Sequence, residues 1–218
     1  MTSAPSELRP LLEAWPAGRP IIRVHPSTFG ATEFNADPKT NGRFHPLRHG
    51  RRIVPVLYGA GDDAAAASET VFHTVPAPEG PEVRPRQVAL APWLAWVWST
   101  LAARRDLQLV SLRGNGLRAI GARRDELITS PRTAWPTART WAEALLVAAP
   151  EADGLRWTSR QAARRDALVL FGKTKGRTGG IQRAELEVVN PPVPFLSPAG
   201  LERLMATATK LDITLLIE

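Results

Sequence analysis

The chain has 218 residues, 44% of them hydrophobic and 22% charged, which excludes wholesale disorder and allows one large domain or two small ones. It contains no cysteine, so disulfides, a thiolate nucleophile and Cys-type zinc or iron–sulfur sites are excluded. The net charge is +7, and only Lys39, Lys173, Lys175 and Lys210 among the 28 basic residues are lysine. Arginine's planar fork suits phosphate and carboxylate partners. The basic residues come as dispersed pairs such as Arg51-Arg52 and Arg164-Arg165, without the aromatic interleaving of single-strand binders.

Residues 1–19 are polar and rich in proline, with a short helix expected near Ser6–Ala14 and no signal-peptide pattern. Pro20–Val24 reads as a strand. Phe29–Arg52 has many turn formers and reads as a long loop. Ile53–Tyr58 is a predicted strand and Gly59-Ala60-Gly61 a turn. Asp62 or Asp63 caps a helix predicted over Ala64–Val75. Pro76–Arg86 is a proline-rich connection, followed by a strand at Gln87–Ala91 and a buried helix to about Arg104. This apolar stretch, with Trp93, Trp96 and Trp98, is too short to span a bilayer, and a cytoplasmic protein is expected.

Leu107–Leu112 is a predicted strand, and Arg123–Ile128 is ambiguous. Thr137–Ala149 carries apolar residues at helical spacing. Asp153–Ser159 reads as a turn and a short extended piece, Ala167–Phe171 as a strand, Lys173–Gly180 as a turn and Ala184–Val189 as a strand. Ser197 caps a helix to about Lys210, and Ile213–Ile217 is the last strand. The pattern is strand-rich α+β in one domain, without regular βαβ alternation.

Common motifs fail. Gly114-Asn115-Gly116 lacks the third glycine of a dinucleotide loop, and Gly172-Lys173-Thr174 lacks the upstream glycine of a phosphate-binding loop. His45 and His49 are four apart but lie in a loop, not on a helix, so no metal site is expected.

Four segments carry chemistry that the core does not require. Ile21-Ile22-Arg23-Val24 puts an arginine inside an apolar strand. Asn41-Gly42-Arg43-Phe44-His45 sets another between glycine and an aromatic. Val54–Ala60 carries Tyr58, the only tyrosine, at the end of its apolar strand and leads into the alanine helix that carries Glu69. Asp153-Gly154-Leu155-Arg156-Trp157-Thr158-Ser159-Arg160 precedes the strand Ala167–Phe171. Buried charges need partners, and the simplest relief for Arg23 and Glu69 is a shared polar cleft.

In order and spacing these segments resemble the RES-domain family, named for an Arg, a Glu and a Ser, from about Pro20 to Glu218. Arg23 matches its early strand arginine, Tyr58-Gly59-Ala60 its Tyr-x-Ala strand end, Ala64–Glu69 its glutamate helix and Gly154–Ser159 its serine stretch. Asn41–His45 departs from the family's Gly-Gly-Arg-Trp-Asn-like segment, with Asn41, Phe44 and His45 in place of glycine, tryptophan and asparagine.

The resemblance implies an N-terminal extension (1–19) and an NAD-binding domain (20–218) with a split sheet like that of ADP-ribosyltransferases. It implies a toxin that cleaves the nicotinamide–ribose bond of NAD by phosphorolysis or hydrolysis. NAD is then the substrate, phosphate an optional co-substrate, and no metal takes part. Glu69, Arg23 and Ser159 are the implied catalytic residues, and Arg23, Arg43, Tyr58 and Ser159 the implied NAD contacts. The implied partner is a helix-turn-helix (Xre-type) antitoxin, with no membrane and no direct nucleic-acid binding. The alternatives are a protein mono-ADP-ribosyltransferase on the same fold and a basic nucleic-acid-binding module.

Overall fold

The computed structural model describes residues 7–75, 86–162 and 164–216. In chain order the strands and helices are β1 (Leu12–Trp15), β2 (Pro20–Pro26), β3 (Leu47–His49), β4 (Arg52–Val54), β5 (Val56–Ala60), α1 (Asp63–Ser68), β6 (Gln87–Ala89), β7 (Trp96–Ala103) and β8 (Leu107–Leu112). There follow α2 (Gly114–Ala119), α3 (Arg124–Leu127), α4 (Trp135–Ala148), β9 (Gly154–Thr158), β10 (Asp166–Phe171), β11 (Leu186–Pro194), α5 (Pro198–Lys210) and β12 (Thr214–Leu216). Short 3₁₀ turns lie at Ala91–Trp93, Arg132–Ala134 and Arg183–Glu185.

Eight strands form one sheet in the order β1-β8-β9-β10-β5-β2-β7-β11. The β8–β9 pair is parallel and the other neighbours are antiparallel. A parallel neighbour requires a long crossover, and α2–α4 supply it. The sheet is split in the middle. β2 pairs with β7 from Pro20 to Pro26, yet it meets β5 at one register position, Ile22 opposite Ala60. Beyond that point the two halves diverge, and a wedge opens between Val24–Pro26 and Val56–Tyr58.

Three hydrophobic clusters clothe the sheet. One lies under α4 and contains Trp141, Leu145, Phe44, Trp157 and Phe171. A second, under α1 and α5, contains the α1 alanines, Phe72, Trp98 and Phe195. The third contains Trp15, Ile21, Leu57, Leu101 and Leu168. Residues alternate in β2, with Ile21 in the third cluster and Ile22 and Val24 in the second, as a strand buried on both faces demands.

Several expectations are corrected. The segment after Ala91 is not a helix to Arg104: after one 3₁₀ turn it becomes β7, the longest partner of β2. Its Trp-Val-Trp-Ser-Thr composition favours a pleated, two-sided burial. Among the described residues, no helix forms over the 7–14 part of the helix expected near Ser6–Ala14. Leu12–Trp15 is an edge strand on β8, and Trp15 is fully buried, so this part of the expected extension is built into the sheet. The loop Phe29–Arg52 contains the β3–β4 hairpin. The helix predicted over Ala64–Val75 stops at Ser68 and continues as turns. Most of the proline-rich connection lies outside the described residues.

Among the described residues no helix is long and apolar enough to cross a membrane.

Candidate active site

The wedge between the sheet halves is the floor of a cavity of about 620 Å³. Its walls come from β2, β5, the end of α1, the loop Thr40–Arg43, the segment Ser130–Trp135 and the turn after β9. Among the described residues, four arginines line it (Arg23, Arg43, Arg132 and Arg160) against one carboxylate, Glu69.

Glu69 terminates α1. Asp62 caps the other end of that helix, accepting from Ala65 N at 2.9 Å. The helix is almost all alanine because it is buried tightly against β2, β5 and β10. Asp63 is gripped by Arg203 of α5 through two hydrogen bonds, of 2.8 and 2.5 Å. A carboxylate at a helix C-terminus meets the negative end of the dipole, so Glu69 sits where local electrostatics oppose it. Arg43 offsets this. Its Nη1 lies 3.9 Å from Glu69 Oε2, close enough to attract and too long for a charge-assisted hydrogen bond. Neither group is therefore saturated by the other.

The arginine is held by its neighbours. Tyr58 at the edge of the wedge accepts the Phe44 N–H at 2.9 Å. Arg139 of α4 donates to the Gly42 carbonyl and to Asn41 Oδ1, both at 2.9 Å. Phe44 packs edge-to-face on Trp157 with centroids 5.3 Å apart, and His45 Nε2 bonds the Asp37 carbonyl at 2.8 Å. The three departures from the family pattern thus have structural partners, and they present Arg43 on a clamped loop. Burial pushes the Tyr58 hydroxyl well above the usual phenol range and pulls Arg43 down, with Glu69 opposing the latter shift. Tyr58 is a neutral phenol and Arg43 a cation at neutral pH.

Opposite Glu69, His73 links two more arginines. Its Nδ1–H donates to the Thr70 carbonyl, which leaves Nε2 to accept from Arg132 Nη2. Arg160 Nη2 donates to the His73 carbonyl at 2.9 Å. Burial and Arg132 lower the His73 pKa, so the ring is neutral and keeps this tautomer.

Several buried donors on the cavity wall have no partner among the described residues: Arg43 Nε, Ser68 Oγ, Ser130 Oγ, Trp135 Nε1 and Trp157 Nε1. Ser68 is 2% exposed and Ser130 6%. Buried donors left open are costly, so a cluster of them marks a place for an acceptor-rich ligand.

The residues expected from sequence separate here. Arg43, Tyr58 and Glu69 come together. Arg23 lines the same cavity, but its Nη1 donates to the carbonyls of Gly30 and Ala31, at 3.1 and 2.6 Å. Burial lowers its pKa to about 10, with Glu33 opposing, and it remains charged. Ser159 is not on the cavity wall. It extends the β9–β10 ladder through its N–H to the Arg165 carbonyl, Arg124 of α3 reaches its carbonyl, and its own hydroxyl is buried without a partner among the described residues. The serines on the wall are Ser68 and Ser130. Nothing in the sequence singled them out, although Ser68 directly precedes Glu69. Arg132, Arg160 and His73 were likewise missed, because they converge from separate turns.

No group of three or more His, Asp or Glu side chains is placed to hold a metal ion among the described residues.

Fold and cavity together define a split-sheet α+β protein with a cationic, donor-rich cleft around one carboxylate. A family model described as the RES domain matches residues 20–189, and the chain belongs to that family. Among solved structures it is similar to a chain of the "M.tuberculosis MbcT-MbcA toxin-antitoxin complex", with 16% identity and a TM-score of 0.58 over 89% of this chain and 92% of that one. No curated protein matches.

Proposed function

We propose that the protein cleaves the bond between nicotinamide and ribose in NAD, passing the ADP-ribosyl group to phosphate or water. The observation that carries this is the Glu69 carboxylate facing Arg43, the one carboxylate among the described residues of a cavity that also holds four arginines and several open donors. In the reaction the ribose C1–N bond breaks and its electron pair leaves on the nicotinamide nitrogen, neutralising the pyridinium. Positive charge builds on the ribose, as in glycoside hydrolysis. Glu69 stabilises that charge and accepts from a ribose hydroxyl. The arginines hold the diphosphate, with Arg43 nearest the carboxylate. A phosphate oxygen or water then bonds C1, and the attacking water passes one proton through Glu69 to bulk solvent. Preorganised charge supplies most of the acceleration.

Arg23 supports the cavity floor and the Gly30–Ala31 loop. Ser130 and Ser68 take the hydroxyl role expected of Ser159. We further propose that the chain is the toxin of a toxin–antitoxin pair. The similar structure is a toxin–antitoxin complex, which supports this, as does the +7 charge, which an acidic Xre-type helix-turn-helix antitoxin would complement.

The test is nicotinamide release from NAD by the purified protein and by Glu69→Gln, with and without phosphate. Release is expected, and the substitution should lower it by at least about a hundredfold, the scale for losing one preorganised electrostatic group. Dependence on phosphate identifies a phosphorylase, and indifference to it a hydrolase. Release that persists in Glu69→Gln would sink the assignment. Release only when a protein acceptor is present would identify a transferase.

A further inference from the structure

The cavity has an aromatic wall that the chemistry at Glu69 does not use. Trp93 and Trp96 both line it and meet edge-to-face, with ring centroids 4.7 Å apart. They belong to the β7 half of the split sheet, whereas Tyr58 and Arg43 belong to the β5 half. Trp96 pairs with Pro26 at the end of β2 where the wedge is widest. Phe29, 40% exposed, lines the same end.

The two indoles are held firmly. Trp96 is bonded into β7, with its carbonyl accepting from Phe195 N at 2.9 Å. Trp93 closes the 3₁₀ turn through its N–H to the Leu90 carbonyl at 2.9 Å. Ser27 N to the Ala95 carbonyl, at 2.8 Å, ties the loop carrying Phe29 to the same turn. Each indole packs one side on the second core cluster and turns the other to the cavity. Both remain half-buried, so apolar ring surface faces the opening, and among the described residues the carboxylate that lines the cavity is Glu69 at the end of α1.

Resting on the reading of Glu69 as the site of bond cleavage, we propose that Trp93 and Trp96 hold the second base of the dinucleotide, the adenine. These residues then set specificity for a dinucleotide over a mononucleotide. One ligand spans the wedge. Its nicotinamide–ribose end lies at Glu69 on one wall, its diphosphate lies among the arginines, and its purine lies on the indoles of the other wall. A planar purine covers exposed ring surface with a π-face, which asks for no hydrogen-bond partner and tolerates the edge-to-face pair.

Two measurements test this. The first compares NAD with nicotinamide mononucleotide, which has the same scissile bond and no adenylate. The ratio of their kcat/KM values should fall by roughly tenfold to a hundredfold in Trp93→Ala and in Trp96→Ala, the range stacking of one base supplies. Trp93→Phe should restore most of it, and melting curves identify any variant that fails to fold. The second is independent of catalysis: calorimetric binding of ADP against pyrophosphate. Wild type should prefer ADP, and the alanine variants should lose that preference by a similar factor.

If NAD is cleaved and the ratios do not move, the purine subsite is wrong while the catalytic reading stands. If nothing is cleaved and the ADP preference still depends on the indoles, the subsite stands and the catalytic reading fails. Equal affinity of wild type for ADP and pyrophosphate would overturn the proposal. So would indole variants that lose affinity for an antitoxin while binding ADP normally.

Discussion

At the scale of single residues, the site is built from groups whose own surroundings fix their charge. His25 shows how strongly. It is 4% exposed on β2, with Nδ1–H donating to the Pro26 carbonyl at 2.9 Å and Nε2 accepting from Ser99 Oγ at 2.8 Å. Burial, reinforced by Arg23, lowers its pKa to about 4. The unfolded chain titrates near 6.5, so between about 6.5 and 4 the unfolded state binds a proton that the native state refuses. Stability from this group is complete above pH 6.5 and is lost as pH falls through that window, by a total of roughly 3 kcal/mol. Urea midpoints should drop between pH 7 and pH 4.5, and the drop should be smaller in His25→Gln, whose amide does not titrate. An identical pH dependence in the two proteins would mean that His25 is not held neutral.

Legibility at this scale was uneven, for a physical reason. Arg43, Tyr58 and Glu69 break local rules: a cation between glycine and an aromatic, a phenol at the end of an apolar strand, a carboxylate in an otherwise apolar helix. Such conflicts are visible in sequence, and they cluster at functional sites. Ser130 and Ser68 break no rule. A serine in a loop or at a helix end is ordinary until burial leaves its hydroxyl open, and only the fold shows that. Ser159 shares that open, buried hydroxyl, but it is not among the cavity-lining residues, whereas Arg160 and Gln161 after it reach the cavity.

At the scale of elements, the wedge depends on where β2 and β5 touch. Their one register pair, Ile22 with Ala60, sits beside Gly59, and a Cβ on Gly59 would fall 2.5 Å from Ile21 Cγ2. Glycine is required there by close approach. Gly59→Ala must push the strands apart at their only joint, so a loss of roughly 1–3 kcal/mol is expected, typical of overpacking. For a chain of this size that is a fall in Tm of about 2–4 °C per kcal/mol. The same displacement carries Tyr58 and the clamped Arg43 loop, so KM for NAD should rise as well. A Tm within 1 °C of wild type, by scanning calorimetry, would show that the joint has slack. Strand β7, the partner that completes this half, was hidden in the sequence. Buried on both faces it reads as a continuous apolar run, which periodicity alone does not distinguish from a buried helix. The α4 periodicity and the Ser197 cap were legible because one helix face and one cap position carried the signal, and β2 because its short apolar run is rich in β-branched residues.

At the scale of the whole molecule, charge is unevenly used. Much of the arginine surplus is spent on structure. Arg156, Arg113 and Arg19 converge on Asp166, the first two also on Glu13, and Arg105 holds Asp153 and Glu185. The cavity instead keeps four arginines against one carboxylate. Low-dielectric walls around like charges focus the field and raise the local concentration of an anionic substrate. Salt weakens this, because the screening length shrinks from about 10 Å at 0.1 M to about 3 Å at 1 M. Between roughly 0.05 and 0.5 M salt, KM for NAD should therefore rise by about three- to tenfold. The maximal rate should change far less, since Glu69 and Arg43 are partly shielded from solvent once the substrate is seated. Steady-state kinetics in potassium acetate, free of competing phosphate, would measure both. A KM flat across that range would mean that the arginines act by direct, dry contact alone. A maximal rate that fell in step with 1/KM would mean that the field acts on the charge developing at the ribose.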